Sequence, residues 1–195
     1  MQFTKSLVSI LEQSEYSEIE RQDLTKLVDF FESQIAMEGK SKKESYELML
    51  SQAYDDYMAI PNKISIGKQR ELFKDISSSL YDDIWYEGEA IAYKSYEGEE
   101  FEAPIRYKSI SARVDSKYIK LLQTLEKENP KIKIYVERMQ NAGDFPMFYN
   151  LFGMLVDPKA NWTENSDESH WRLIISLHLL TINEDQNRYL SLSEN

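Results

Sequence analysis

The chain has 195 residues and no cysteine, and its 34 acidic and 23 basic side chains give a net charge of −11 at pH 7. The lack of cysteine excludes disulfide bonds, thiolate catalysis and cysteine-ligated zinc. The negative charge argues against direct binding to nucleic acid or to an anionic membrane, because phosphates repel an acidic surface. No apolar run has the length of a membrane helix and the N-terminus lacks an apolar signal region, so we expect a cytoplasmic protein.

Residues 1–80 predict about four helices, because their apolar side chains recur at intervals of three and four. Ser17 and Ser41 each stand three residues before a glutamate, which is the spacing of a capping box, so each marks a helix start. The third helix is expected to end at Pro61, and the fourth to lie near 68–81.

The periodicity changes after residue 80. From Phe101 to Lys108, apolar and polar residues alternate, which is typical of a half-buried strand. Residues 84–94 are the expected partner strand, with Ser95–Gly98 as the hairpin turn. Pro104 cannot donate a backbone hydrogen bond, so it places the second strand at an edge or a bulge.

The remaining elements are predicted from local signals. Asp115 is expected to cap a helix, and 131–137 alternates like a strand. Residues 145–156 fit an apolar helix. Residues 171–182 are interpreted as a central strand, although their apolar side chains fit the spacing of a buried helix as well as that of a strand. The tail after Asn183 is expected to be loosely held.

Together these elements predict an α+β fold. Its N-terminal helical region, 1–80, would pack about four helices against an antiparallel or mixed sheet of about four strands. Residues 81–195 would form an α+β region that carries the hairpin, either as a separate unit or co-folded with the first.

Catalytic motifs are absent from the sequence. Gly67 and Lys68 lack the rest of a phosphate loop. His170 and His178 are eight residues apart, so a straight strand or helix would keep them from ligating one ion. Paired carboxylates such as Glu87 and Glu89 could support acid–base chemistry if desolvated, but on a half-exposed strand they are usually solvated. We therefore predict no catalytic residue, no metal ligand and no cofactor.

Charge is concentrated on the predicted hairpin. Residues 82–102 hold eight acids and one base, whereas residues 103–195 hold twelve of each. Crowded like charges repel one another, and a basic partner would relieve that repulsion. Aromatic residues between the acids are of the type that anchors interfaces. The predicted partner-binding residues are Trp85, Glu87, Glu89, Tyr93, Tyr96, Glu97, Glu99, Glu100 and Glu102. The competing interpretation is a solvated edge whose charges prevent aggregation.

Three functions remain open from the sequence. The first is a non-enzymatic acidic module that binds a basic protein, as an inhibitor or an immunity-type antagonist, without direct contact with nucleic acid or membrane. The second is a small enzyme or ligand-binding protein with a pocket near His178 and the apolar segment 145–156. The third is a subunit of a larger assembly. The sequence does not determine the oligomeric state.

Overall fold

The computed structural model describes residues 6–56, 59–92, 104–127, 129–146, 151 and 169–192. The described chain is mostly helical and contains one two-stranded antiparallel sheet, so the α+β class is confirmed. In chain order the elements are α1 (Leu7–Leu11), α2 (Glu18–Ile35), α3 (Lys42–Asp55), α4 (Ala59–Lys63), α5 (Ile66–Asp75), α6 (Ser78–Ile84), β1 (Trp85–Ala92), β2 (Ile105–Ala112), α7 (Lys117–Leu125), α8 (Pro130–Ala142) and α9 (Ser169–Leu190).

The longest helix, α9, lies at the centre of the core. Apart from Arg172, whose side chain is 18% exposed, every side chain from Trp171 to Asn183 is buried, and α9 contacts α1, α2, α4, α5 and β2. The prediction of a central strand at 171–182 is therefore wrong. An element of 22 residues is too long for an ordinary strand, and a helix that is apolar on all sides is stable when other elements surround it. Among the described residues, no helix has the length and apolar character needed to span a membrane.

The predicted strand at 131–137 is also wrong, because these residues belong to α8. The buried side chains are Ile132, Tyr135, Val136 and Met139, which have helical spacing, whereas Ile134 is exposed. Local signals support the helix at both ends. Pro is at its first position, the Asn129 side chain caps it, and Gly143 ends it with a φ of 72°.

Both predicted capping boxes are present, and they begin α2 and α3. Other helix boundaries differ from the prediction. Pro61 lies inside α4, near its start, where the backbone needs no N–H donor. The single helix expected at 68–81 is two helices, α5 and α6, because the Asp23 carboxylate accepts a hydrogen bond from the Ser77 backbone N–H (2.8 Å) at the break.

The cap of α7 is one residue later than predicted. Ser116 accepts the hydrogen bond from the Ile119 backbone N–H (3.3 Å), while Asp115 is exposed. The predicted apolar helix at 145–156 lies mostly outside the described residues. Of that segment, Leu151 is buried and Phe145 packs on the edge of the core.

The predicted hairpin is confirmed where the structure describes it. β1 and β2 pair antiparallel, from Trp85 opposite Ala112 to Ala92 opposite Ile105. The prediction of about four strands is wrong for the described chain, because the other two segments are the helices α8 and α9. The turn expected at Ser95–Gly98 lies outside the described residues.

Buried side chains from 1–80 and from 81–195 belong to one hydrophobic cluster. Polar contacts deep in that cluster also join the two regions. The Gln69 side chain of α5 donates to the Leu180 carbonyl (2.9 Å) and accepts from Asn183 (2.9 Å), so these buried amides have partners. The hairpin is attached to this shared core through Trp85 and β2.

Candidate functional site

The register of the hairpin pairs the acids of β1 with residues of β2. Glu87 is opposite Ile110, and Glu89 is opposite Lys108. Residues that are directly opposite in an antiparallel pair project from the same side of the sheet, and so do alternate residues of one strand. Glu87 and Glu89 therefore share one side of the sheet, and basic residues of β2 lie near them.

Glu89 is the acid of β1 that is most available to a partner. Its side chain is 74% exposed, and its ion pair with Arg106 is long, at 3.4 Å. An exposed pair of this kind contributes about 0–1 kcal/mol to stability. A cation from a partner can therefore replace Arg106 at little cost.

Glu87 is bound within the molecule. Its carboxylate pairs with Arg188 of α9 at 2.9 Å, although the side chain is 47% exposed. Arg188 also binds the buried Glu184 (2.8 Å) and donates to the Lys108 carbonyl (3.3 Å). Burial lowers the pKa of Arg188, but hydrogen bonds to Glu184 and Glu87 outweigh it and raise the pKa. Glu87 thus neutralises a cation of the chain itself.

Asp83, just before β1, is also turned inward. It accepts hydrogen bonds from the Tyr16 hydroxyl (2.7 Å) and from the backbone N–H of Lys117 (3.0 Å), which ties α6 to the connection between α1 and α2 and to the start of α7. Asp82 is exposed and has no bonded partner among the described residues. Two of the four acids of 82–89 are therefore held by the molecule, and Asp82 and Glu89 remain accessible.

Trp85 does not lie on the predicted surface, which corrects its assignment to the partner-binding set. Its exposed fraction is 0%, and its indole N–H donates to the Thr181 hydroxyl (2.8 Å). The rings of Phe73 and Tyr81 lie 5.0 and 5.3 Å from it. Trp85 is an anchor that fixes the start of β1 on α9.

Six other predicted partner-binding residues lie outside the described chain: Tyr93, Tyr96, Glu97, Glu99, Glu100 and Glu102. Their role stays a prediction. In the described part of the hairpin, Arg106, Lys108 and Arg113 of 104–113 offset most of the negative charge of 82–92. Most of the acidic excess of 82–113 therefore comes from 93–103, which hold four acids and one base in the sequence.

A groove of about 690 Å³ lies between α5, α6, β2 and the end of α9. Four basic residues line it, namely Arg70, Lys74, Lys108 and Arg188, together with one acidic residue, Glu184. Arg70 (3.1 Å) and Arg188 (2.8 Å) both pair with the buried Glu184, whereas the two lysines form no ion pair with described residues. The groove is thus a cationic region on an otherwise acidic protein.

Aromatic rings form much of the groove wall. Phe73 and Tyr81 are in edge contact at 5.6 Å, and Tyr107 lies on the β2 side. Burial and the nearby Asp185 carboxylate, which accepts a hydrogen bond from the Tyr107 hydroxyl, raise the pKa of Tyr107 to about 12. Its hydroxyl is therefore protonated at neutral pH, and the wall offers uncharged rings beside the cations.

His178, the residue of the second sequence hypothesis, lies in the core. It is 1% exposed, its Nδ1 is hydrogen-bonded to the Tyr135 hydroxyl (3.0 Å), and the Phe145 ring is 5.1 Å away. Burial lowers the pKa of His178 to about 3, so the imidazole is neutral near pH 7. These contacts give His178 a packing role. The described residues also hold no group of three or more metal-ligating side chains.

Sequence reasoning did not identify the groove. Its cations lie on α5, β2 and α9, which are far apart in the chain, and α9 beyond Asn183 was expected to be a loose tail. That expectation is wrong, because Glu184 is buried and Arg188 forms three contacts. Comparison of the chain with protein-family models, curated proteins and solved structures finds no match.

Proposed function

We propose that this protein is a non-enzymatic cytoplasmic binding module that engages a basic protein partner through its acidic hairpin, as an inhibitor or immunity-type antagonist. The observation that carries the proposal is the position of Glu89. It lies on an exposed strand, its side chain is 74% exposed, and its one described ion pair is weak. Further acids, from Glu97 to Glu102, follow it in the sequence.

Charge explains why such a surface would find its partner quickly. The net charge of −11 attracts a basic protein over a distance set by the ionic strength. Contacts at the rim of an interface then affect the association rate more than the final affinity. Glu89 would contribute more than Glu87, because binding through Glu87 would first require loss of its pair with the half-buried Arg188.

The test compares two quadruple charge reversals in pull-down experiments from native lysate at two salt concentrations. One variant changes Glu97, Glu99, Glu100 and Glu102 to lysine. The matched control changes four exposed acids of the N-terminal region to lysine: Glu12, Asp29, Glu38 and Asp55. Both variants shift the net charge equally, so they separate a local effect from a global one.

We expect the hairpin variant to lose its partner and the control variant to keep it. Capture of the same proteins by both variants at low salt would show that the hairpin is not the binding surface. A stable complex of fixed stoichiometry that survives both sets of changes would instead support the assembly-subunit hypothesis.

The cationic groove favours a second candidate function, the binding of a small anionic ligand with an aromatic or apolar body. The groove volume of about 690 Å³ is in the range of small-molecule sites. Lys74 and Lys108 supply positive charge and form no ion pair with a described acid, and Phe73 and Tyr81 supply ring surface. This candidate replaces the predicted pocket near His178, whose surroundings are packed side chains.

A pair of fluorescent probes tests this candidate. The anionic probe 8-anilinonaphthalene-1-sulfonate should bind the protein, and Lys74→Glu with Lys108→Glu should weaken it at least tenfold. The uncharged N-phenyl-1-naphthylamine should be unaffected by the same changes. Lys63→Glu with Lys127→Glu, at exposed positions away from the groove, is the matched control. Equal weakening by both pairs would mean that net charge, and not the groove, governs binding.

A further inference from the structure

The outer edge of β1 differs from the outer edge of β2. In an antiparallel pair, successive residues point their backbone groups alternately toward the partner strand and away from it. The N–H groups of Ile110 and Ala112 donate to the carboxylates of Asp185 (3.4 Å) and Asp144 (2.6 Å), so they point away from β1. The outer edge of β2 is therefore covered by side chains of the molecule itself.

The same alternation defines the outer edge of β1. Two residues directly opposite each other both point their backbone groups toward the partner strand or both point them away from it. Glu87 is opposite Ile110, whose N–H points away from β1, so the backbone groups of Glu87 and of Glu89, two residues further on, point away from β2. The Arg113 N–H donates to the Ile84 carbonyl (2.8 Å), which agrees with this assignment. By the same rule, Ile91 also faces outward.

Near its start, the β1 edge is closed. The Trp85 carbonyl accepts a hydrogen bond from the Arg113 side chain (3.2 Å), and the Trp85 N–H ends α6. Beyond it, the backbone groups of Glu87, Glu89 and Ile91 have no hydrogen-bond partner within the described chain, and all three residues are exposed. Such an edge is a template for another strand.

We propose that the β1 edge from Glu87 to Ile91 accepts an extended basic segment of a partner protein as a third strand. The inference rests on the proposed function, a basic partner, and specifies how that partner binds. Backbone hydrogen bonds would supply affinity, and alternate side chains would supply specificity.

Charge complementarity identifies the occupant. Glu87, Glu89 and the 47% exposed Ile91 project from one side of the sheet. A bound strand would place one basic residue beside Glu89 and another beside the exposed part of Glu87, which keeps its pair with Arg188. The apolar stem of a third lysine would lie along Ile91. A second copy of this chain fits less well, because edge-to-edge pairing would bring carboxylates of both copies together. Like charges on neighbouring strands are destabilising.

The first test uses a blocked heptapeptide of alternating lysine and valine. Two further forms of it carry backbone N-methyl groups, one on the lysine amides and one on the valine amides. N-methylation removes hydrogen-bond donors without changing the charge. Only alternate amides of an added strand face β1. One methylated form should therefore bind with at least tenfold lower affinity, and the other should bind with the affinity of the parent peptide.

The second test changes the protein. The Glu89 N–H points away from β2, so Glu89→Pro removes an edge donor without loss of a sheet hydrogen bond. We expect it to weaken the peptide at least tenfold, and Glu89→Gln, which keeps the N–H, to weaken it only a few-fold. On peptide binding, amide hydrogen exchange should slow at Glu87, Glu89 and Ile91. The methylated peptides keep the inference testable if the proline variant does not fold.

Three outcomes would overturn the inference. The first is equal binding of all three peptides, and the second is no binding of the parent peptide. The third is slowed amide exchange that occurs only under conditions where light scattering detects self-association of the protein. In the first case a basic partner could still bind by charge alone, so the strand would be disproved and the proposed function would stand. Loss of the native partner from both charge-reversal variants alike would count against the function instead.

Discussion

At the scale of single residues, alternate positions of β1 have different roles. Trp85 is buried and hydrogen-bonded to Thr181, Glu87 is paired with Arg188, and Glu89 is exposed with a weak partner. The side-chain alternation of a strand does not separate these roles, because all three residues project from the same side. Distance from the core separates them, since burial falls along β1 from Trp85 to Glu89.

His178 makes a prediction about acid stability. Its pKa is about 3 in the folded protein, lowered by burial, and about 6.5 when unfolded. Between these values the unfolded chain binds more protons, so stability falls as the pH falls below about 6.5. The loss is at most about 1.4 kcal/mol per pH unit. In His178→Gln, which cannot titrate, this part of the loss should disappear, as urea unfolding at pH 7 and pH 5 would show.

Tyr135→Phe is the control for that experiment, because it removes the hydroxyl at His178 Nδ1 and leaves the imidazole buried. It should keep the acid sensitivity of the wild type. His170 is present in every variant, so its titration cancels in the comparison. An unchanged pH dependence in His178→Gln would show that the imidazole does not cause the acid loss.

At the scale of elements, α9 is joined to the N-terminal helices by a buried charge as well as by apolar packing. Glu32 of α2 binds Arg172 of α9 (2.5 Å) and Lys42 of α3 (2.6 Å). Burial raises the pKa of Glu32, but hydrogen bonds from Arg172 and Lys42 outweigh it and lower the pKa. The Tyr46 hydroxyl also donates to this carboxylate (3.2 Å). Glu32 therefore connects three helices at one point.

Removal of Glu32 should be costly because its partner stays behind. We expect Glu32→Ala to lower the free energy of unfolding by about 3–5 kcal/mol, since Arg172 would be left largely buried and unpaired. Lys42→Ala removes the exposed partner of the same acid and should cost at most about 1 kcal/mol. Chemical denaturation measures both values. Equal losses from the two variants would contradict the assignment of Arg172 as the critical partner.

At the scale of the whole molecule, the charge distribution is uneven. The net charge is −11, yet four basic residues and a single acid, Glu184, line the groove between α5, β2 and α9. The acidic surface suits a basic partner, whereas the cationic groove suits an anionic ligand. A high net charge also destabilises the compact state through self-repulsion.

Salt should therefore stabilise the protein. Raising the ionic strength from about 0.01 M to about 0.15 M shortens the Debye length from about 30 Å to about 8 Å. Repulsion across the acidic surface is screened, whereas the buried Arg172–Glu32 pair is screened less. We expect a higher Tm, and a gain of about 1 kcal/mol corresponds to about 2–4 °C at this size. Calorimetry with sodium chloride and with choline chloride separates screening from specific sodium binding. A fall in Tm with both salts would be evidence against self-repulsion.

Local signals in the sequence were sufficient to predict several elements of the fold. Ser17 and Ser41 began helices as predicted, because a cap depends on residues three positions apart. The hairpin was also predictable, since alternation within 101–108 reflects the two sides of a strand. The sequence alone likewise determined the acidic excess of 82–102.

The tertiary structure alone decided the rest. It placed 171–182 in a buried helix. A run whose apolar residues fit both strand spacing and helix spacing takes its conformation from the elements that pack around it. It buried Trp85, whose partner Thr181 is 96 residues away. It also formed the cationic groove from Lys74, Lys108 and Arg188, which are neighbours only in the folded chain. Each of these depends on contacts between distant segments, and local sequence patterns carry no information about such contacts.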